Sequence, residues 1–110
     1  MMSCHFETLF FSDDGYVVRC KQCGYYQIAF LCMSISLNEA DFKTFCKIAK
    51  TQLEQCQSSF SEQSKCIMIN TPAQYVQLLL TRNEARLLNT MLDEADNESK
   101  ALSLINLFNP

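Results

Sequence analysis

In the first 35 residues the apolar positions fall in short runs and alternations, whereas from Phe42 to Phe60 they recur every three or four residues. That change of period predicts strands followed by a helix. Leu9 to Ser12 and Tyr16 to Cys20 flank Asp13-Asp14-Gly15, and an Asp-Gly pair between apolar and β-branched runs predicts a tight hairpin. With Asp14-Gly15 as a two-residue loop, Asp13 faces Tyr16 and Leu9 faces Cys20. From Tyr25 to Ile35 both alternate sets are apolar or small, the pattern of a central strand covered on both faces.

Ser36-Leu37-Asn38-Glu39 reads as a helix start, capped by Ser36 or Asn38, with Glu39 and Asp41 in the first turn. The buried stripe of that helix is Phe42, Phe45, Cys46, Ala49, Leu53, Cys56 and Phe60, and Ser58, Ser59, Ser61 and Ser64 mark its fraying end. Cys66 to Asn70 and Tyr75 to Leu80 predict a second hairpin across Pro72. Thr81-Arg82-Asn83-Glu84 is a capping box before a helix with the stripe Ala85, Leu88, Met91, Leu92 and Ala95. Asp96-Asn97-Glu98 is expected to interrupt it, leaving Ala101, Leu102, Ile105 and Phe108 as a short C-terminal helix. The expected fold is α+β over residues 1–110 as a single domain: an antiparallel sheet of about five strands with two longer helices on one face. At an offset of 45 residues Ser36-Leu37-Asn38-Glu39-Ala40 overlies Thr81-Arg82-Asn83-Glu84-Ala85, so a ββα unit used twice is a candidate organisation.

Composition narrows the function classes. A chain of 110 residues with 48% hydrophobic content buries a core without a covalent staple. Its net charge of −3 is spread along the chain with no basic run, which argues against nucleic acid as a partner. The longest uninterrupted apolar run, Ile28 to Met33, is six residues, against roughly 20 for a spanning helix. The first residues show neither a positive n-region nor an apolar h-region, so a cytoplasmic location is expected. Seven cysteines in such a protein read as reduced thiols, buried or ligating, rather than as a disulfide framework.

The chemistry concentrates at the N-terminus. Cys20-Lys21-Gln22-Cys23-Gly24 is a Cys-x-x-Cys-Gly knuckle, whose two thiolates converge on one metal while backbone amides point at the sulfurs. A structural zinc site needs four ligands, and the expected hairpin sets Phe6 beside Cys23, His5 beside Gly24 and Cys4 beside Tyr25. Cys4, His5, Cys20 and Cys23 are therefore the candidate zinc ligands, with Cys32 or Cys66 as fallback fourth groups. Adjacent strand residues point to opposite faces, so Cys4 and His5 both ligate only if the chain leaves strand geometry there. Against zinc stands the reading of Cys20 and Cys23 as partly buried thiols and of His5 as a surface residue. A dithiol redox site would need the pair at a helix N-terminus, but Gly24 and an apolar strand follow it.

No catalytic residue stands out. There is no nucleophile elbow, no phosphate-binding glycine loop and a single histidine. Asp93, Glu94, Asp96 and Glu98 read as a solvated helix end rather than a calcium loop. Phe6, Phe10, Phe11, Tyr16, Tyr25, Tyr26 and Phe30 crowd the first 30 residues, either filling the core or leaving some rings exposed for a partner.

The run from Cys4-His5 through Gly15-Tyr16-Val17 and Cys20-Lys21-Gln22-Cys23 to Gln27-Ile28-Ala29-Phe30, followed by Leu37-Asn38-Glu39-Ala40-Asp41-Phe42, resembles a family of short uncharacterised proteins from Bacteroidota. That resemblance implies a similar length, a cytoplasmic bacterial protein and no known activity. The knuckle alone resembles half a zinc ribbon, without the second Cys-x-x-Cys of that pattern. The expected function is a small binding or adaptor protein with a structural zinc, monomeric or homodimeric and serving a protein partner. The alternative is a thiol redox or metal-dependent enzyme using Cys20 and Cys23.

Overall fold

The computed structural model describes residues 5–54, 67–73 and 75–108. Along the chain run β1 (Phe6–Ser12), β2 (Gly15–Cys20), β3 (Tyr26–Phe30), β4 (Met33–Leu37), α1 (Glu39–Glu54), β5 (Ile67–Asn70), β6 (Gln77–Leu80) and α2 (Arg82–Phe108). The first four strands form an antiparallel sheet in the order β1-β2-β3-β4, and β5 and β6 pair separately. Both helices share the core with the sheets, and the fold is α+β as expected, with six strands in two sheets among the described residues in place of about five in one.

The expected central strand is in fact a hairpin. Leu31 and Cys32 form the turn between β3 and β4, with Leu31 at a φ of 54°. Apolar residues on both sides of the turn, and no Gly, Asn or Asp within it, hide it from any reading by alternation. The elements before and after are therefore β3-β4-α1 and β5-β6-α2, two runs of strand, strand, helix, with the β1-β2 hairpin in front.

The register of the first hairpin also differs from expectation. Ser12 pairs with Gly15, so Asp13 and Asp14 make the loop and Gly15 belongs to β2. A Cβ at Gly15 would stand 1.9 Å from the carbonyl oxygen of Ala29 on β3, so the glycine serves close strand approach and not the turn. The loop is closed by Ser12, whose hydroxyl accepts the Asp14 N–H at 3.1 Å. A β-bulge between Thr8 and Phe10 then shifts the ladder by one residue, and Phe6 faces Cys20. Leu9 is buried and Phe10 packs against the core, so the extra residue lets two consecutive side chains serve the same core.

Helix boundaries follow their caps. Asn38, rather than Ser36, caps α1, its Oδ1 accepting the Asp41 N–H at 2.8 Å. At α2 the expected capping box is closed in both directions: Thr81 N–H donates to Glu84 Oε1 at 2.9 Å, and Glu84 N–H to Thr81 Oγ1 at 3.1 Å. The stripe Ala85, Leu88, Met91, Leu92 and Ala95 is buried as expected, joined by Ser99. The expected break at Asp96-Asn97-Glu98 is absent, and the C-terminal stripe belongs to α2, whose 27 residues make a helix roughly 40 Å long. Asp96 accounts for the continuity: it accepts from Lys43 of α1 at 2.5 Å and from Lys100 one turn on at 3.0 Å, so the acidic run is held within the helix.

The core gathers Val17, Ile28 and Phe30 of the large sheet, Ile67, Ile69 and Leu80 of the small one, and the apolar stripes of both helices. No helix among the described residues is long and apolar enough to cross a membrane. Cys56, Phe60, Cys66 and the serines expected to end the first helix lie outside the described residues.

Candidate functional site

The Cys-x-x-Cys-Gly sequence forms a closed turn at the end of β2. The Cys20 N–H donates to the Tyr25 carbonyl at 2.8 Å, and the Gly24 N–H returns to the Cys20 carbonyl at 2.9 Å. Gly24 takes a φ of 78° with no atom within 4 Å of where a Cβ would sit, so the glycine is required by backbone conformation and not by space. Within the turn the Cys23 N–H donates to Cys20 Sγ at 3.4 Å. Cys20 is buried and Cys23 exposed, so one sulfur is fixed inside the fold and the other is open to solvent.

β1 brings the N-terminal candidates to this turn with a changed register. The Lys21 N–H donates to the His5 carbonyl at 2.9 Å, which places His5 beside Lys21 rather than Gly24, and Phe6 beside Cys20 rather than Cys23. The shift follows from the Asp13-Asp14 loop and the bulge. His5 is exposed, and Cys4 lies outside the described residues. Among the described residues no group of three or more His, Cys, Asp and Glu gathers at a metal-sized site. Cys32 is no neighbour of the knuckle: it sits in the β3–β4 turn, where Leu31 N–H donates to the Asp14 carbonyl at 3.2 Å, at the opposite end of the sheet. Cys66, the other fallback ligand, lies outside the described residues.

Beside the knuckle lies a polar cluster that pattern reading missed. Glu7, Arg19 and Tyr26 are cross-strand neighbours on β1, β2 and β3, so their side chains share the helix-facing side of the sheet. Arg19 Nη2 pairs with Glu7 Oε1, and Nη1 donates to Ser99 Oγ of α2 at 2.7 Å. The Tyr26 hydroxyl shares a hydrogen bond with the same Ser99 oxygen at 2.9 Å. Below it the Tyr26 ring stacks on Phe42 of α1, with centroids 4.1 Å apart and planes within 5°. One serine oxygen thus joins the sheet to α2, and one ring joins it to α1.

A cleft of about 400 Å³ opens over this cluster. Glu7, Arg19 and Tyr26 form its floor on the sheet, the knuckle contributes Cys20, Lys21 and Gly24, and Glu39 of α1 and Asn106 of α2 complete the lining. Two acids and two bases leave the lining close to neutral.

The remaining described thiol on a helix is inert. Burial, reinforced by the nearby Asp96 carboxylate, pushes the Cys46 thiol up to about 12, and its sulfur donates weakly to the Leu92 carbonyl at 3.9 Å. Asp96 itself would be raised by burial, but its bonds to Lys43 and Lys100 hold it below the usual carboxylate range. Two signals in the sequence point to the polar cluster: Glu7 and Arg19 interrupt otherwise apolar strands, and Ser99 continues the buried stripe of α2 four residues after Ala95.

The model of a family of unknown function matches residues 2–108. No curated protein and no solved structure matches the chain.

Proposed function

The chain belongs to DUF6686, a family of unknown function, and from that footing we propose that it is a small binding module whose working end is the knuckle and the polar cleft beside it. Cys20 and Cys23 hold a structural zinc in this reading, completed by Cys4 and His5 from the strand that ends alongside them. The observation that carries it is the turn itself, with the Cys23 amide bonded to the Cys20 sulfur in a loop that walls the cleft. Two thiols on one turn are half of a tetrahedral set, and the Lys21–His5 backbone bond delivers the start of β1 to the same place. Zinc here would fix the cleft wall and leave the floor residues Arg19, Glu7 and Tyr26 to meet a ligand or partner segment.

Metal analysis of protein purified without chelator tests the reading. One equivalent of zinc is expected, lost together with stability in a Cys20→Ser, Cys23→Ser double variant, because metal binding and folding are coupled in such sites. Protein that is folded and carries no zinc refutes it.

The exposure of Cys23 beside a buried Cys20 favours a second reading, thiol redox or metal-dependent chemistry at the same pair. That reading requires reversible formation of a Cys20–Cys23 disulfide or turnover at the metal. The turn leads into β3 and not into a helix, so no helix dipole assists the thiols. A pair that stays reduced under a glutathione redox gradient removes the redox form of this reading.

A further inference from the structure

The C-terminal turns of α2 carry apolar surface that the monomer leaves uncovered. Leu104, Leu107 and Phe108 are 57%, 74% and 82% exposed, and their spacing places them on one stripe of the helix. The core-facing side at this level is served by Leu102, which packs inward. Leu104 and Leu107, with Ser103, also line a groove of about 290 Å³ against the start of α1, rimmed by Glu39, Lys43 and Lys100. An exposed aromatic ring therefore projects one helical turn from a groove whose apolar lining is Leu104 and Leu107, on the same surface.

A projection and a groove side by side on one surface are what a two-fold pair needs, since each copy then offers and receives the same contact. We propose that the C-terminal turns of α2 form a homodimer interface, in which Phe108 of each copy enters the groove lined by Leu104 and Leu107 of the other.

Three observations favour a second copy over another occupant. The groove is large enough: a cavity of about 150 Å³ already accepts a benzene ring. Its rim is balanced, because Asp96 neutralises Lys43 and Lys100 and Glu39 stands beside them. It therefore selects neither an acidic nor a basic peptide, and two copies meet there without repulsion. The area is sufficient for a weak dimer: the three exposed side chains offer roughly 400 Å² per copy, and a symmetric pair with its polar rim reaches about 1,000 Å², the lower edge of specific interfaces.

Sedimentation velocity on the full chain, from about 1 to 200 μM, brackets the micromolar affinity such an area supports. A shift from monomer to dimer is expected across that range. Leu107→Asp and Phe108→Asp, both at exposed positions, should weaken association at least about tenfold while leaving the circular dichroism melt unchanged. Phe11→Asp serves as control: Phe11 is 75% exposed on β1, at the end of the sheet where Phe10 lines a separate cavity with Arg86 and Leu87 near the start of α2, far from the proposed contact. A chain that stays monomeric throughout, a dimer that survives both aspartates, or one disrupted equally by Phe11→Asp overturns the proposal.

Discussion

Replacing Ser99 with alanine removes one oxygen that two elements of the sheet depend on. Ser99 Oγ accepts from Arg19 at 2.7 Å and shares a bond with the Tyr26 hydroxyl at 2.9 Å, in a position that is 4% exposed. Arg19 keeps Glu7, so its loss is one charge-assisted bond, worth roughly 1.5–3 kcal/mol. The Tyr26 hydroxyl, on a residue only 1% exposed, loses this partner and keeps Arg19, at a cost of about 0.5–1.5 kcal/mol. Alanine is the better helix former by about 0.5 kcal/mol, and water entering from the cleft recovers part of the rest, so a net destabilisation of roughly 2–3 kcal/mol is expected. For a domain of this length that lowers Tm by about 8–15 °C. Urea unfolding followed by circular dichroism reads the change as a shift in midpoint at constant slope. Ser103→Ala, one turn further along α2 and exposed, should cost less than about 0.5 kcal/mol. A Ser99→Ala variant within about 0.5 kcal/mol of the parent would refute the claim that this oxygen joins sheet to helix.

Thr81→Ala opens the capping box at the start of α2 and should cost about 1 kcal/mol, measurable as a urea midpoint shift with local loss of amide protection at residues 82–85. Gly15→Ala drives a methyl into the Ala29 carbonyl, so the β2–β3 ladder must part; a loss of roughly 1–3 kcal/mol is expected, and an unchanged melting temperature would contradict the close approach. Asp96 is held below the ordinary carboxylate range in the folded protein. Its contribution is therefore present above the unfolded value of about 3.9 and is lost as pH falls through the lower folded value. Lys43, whose charged form its bond to Asp96 favours against burial, keeps its contribution below about 10.4 and loses it as pH rises beyond. Asp96→Asn should then lower stability by up to about 1 kcal/mol at neutral pH, with the gap to the parent closing in acid titrations below about pH 4; a gap that persists there sinks the assignment.

The parts of the fold legible in the sequence are those where one local signal has one meaning. Thr81 and Glu84 cap α2 as their spacing requires, and Ala85, Leu88, Met91, Leu92 and Ala95 face inward because a 3.6-residue period leaves no other side for them. The Leu31-Cys32 turn was illegible because residues that suit a covered strand also flank and fill it. Register was illegible for a different reason: Asp13-Asp14-Gly15 offers two adjacent two-residue loops, and the choice was made by β3, whose carbonyl excludes a side chain at position 15. The Cys20–Gly24 segment was legible as a turn after β2, while the cluster of Glu7, Arg19, Tyr26 and Ser99 was not, because it joins residues up to 80 positions apart. A charge within an apolar alternation marks that a partner exists without saying where in the chain it lies.

The bulge at Leu9 has a consequence for how molecules of this protein meet one another. β1 is an outer strand of its sheet, and among the described residues one whole side of its backbone has no neighbouring strand within that sheet. An outer strand that is flat and regular is an invitation for another chain to add itself, the first step toward fibrous aggregates. By inserting one residue between Thr8 and Phe10, the strand is bent and its twist increased midway, so an incoming straight strand can match only the three residues on either side of the irregularity. The device that lets Leu9 and Phe10 both reach the core thereby also spoils the template, and resistance to strand addition at this margin is a by-product of packing.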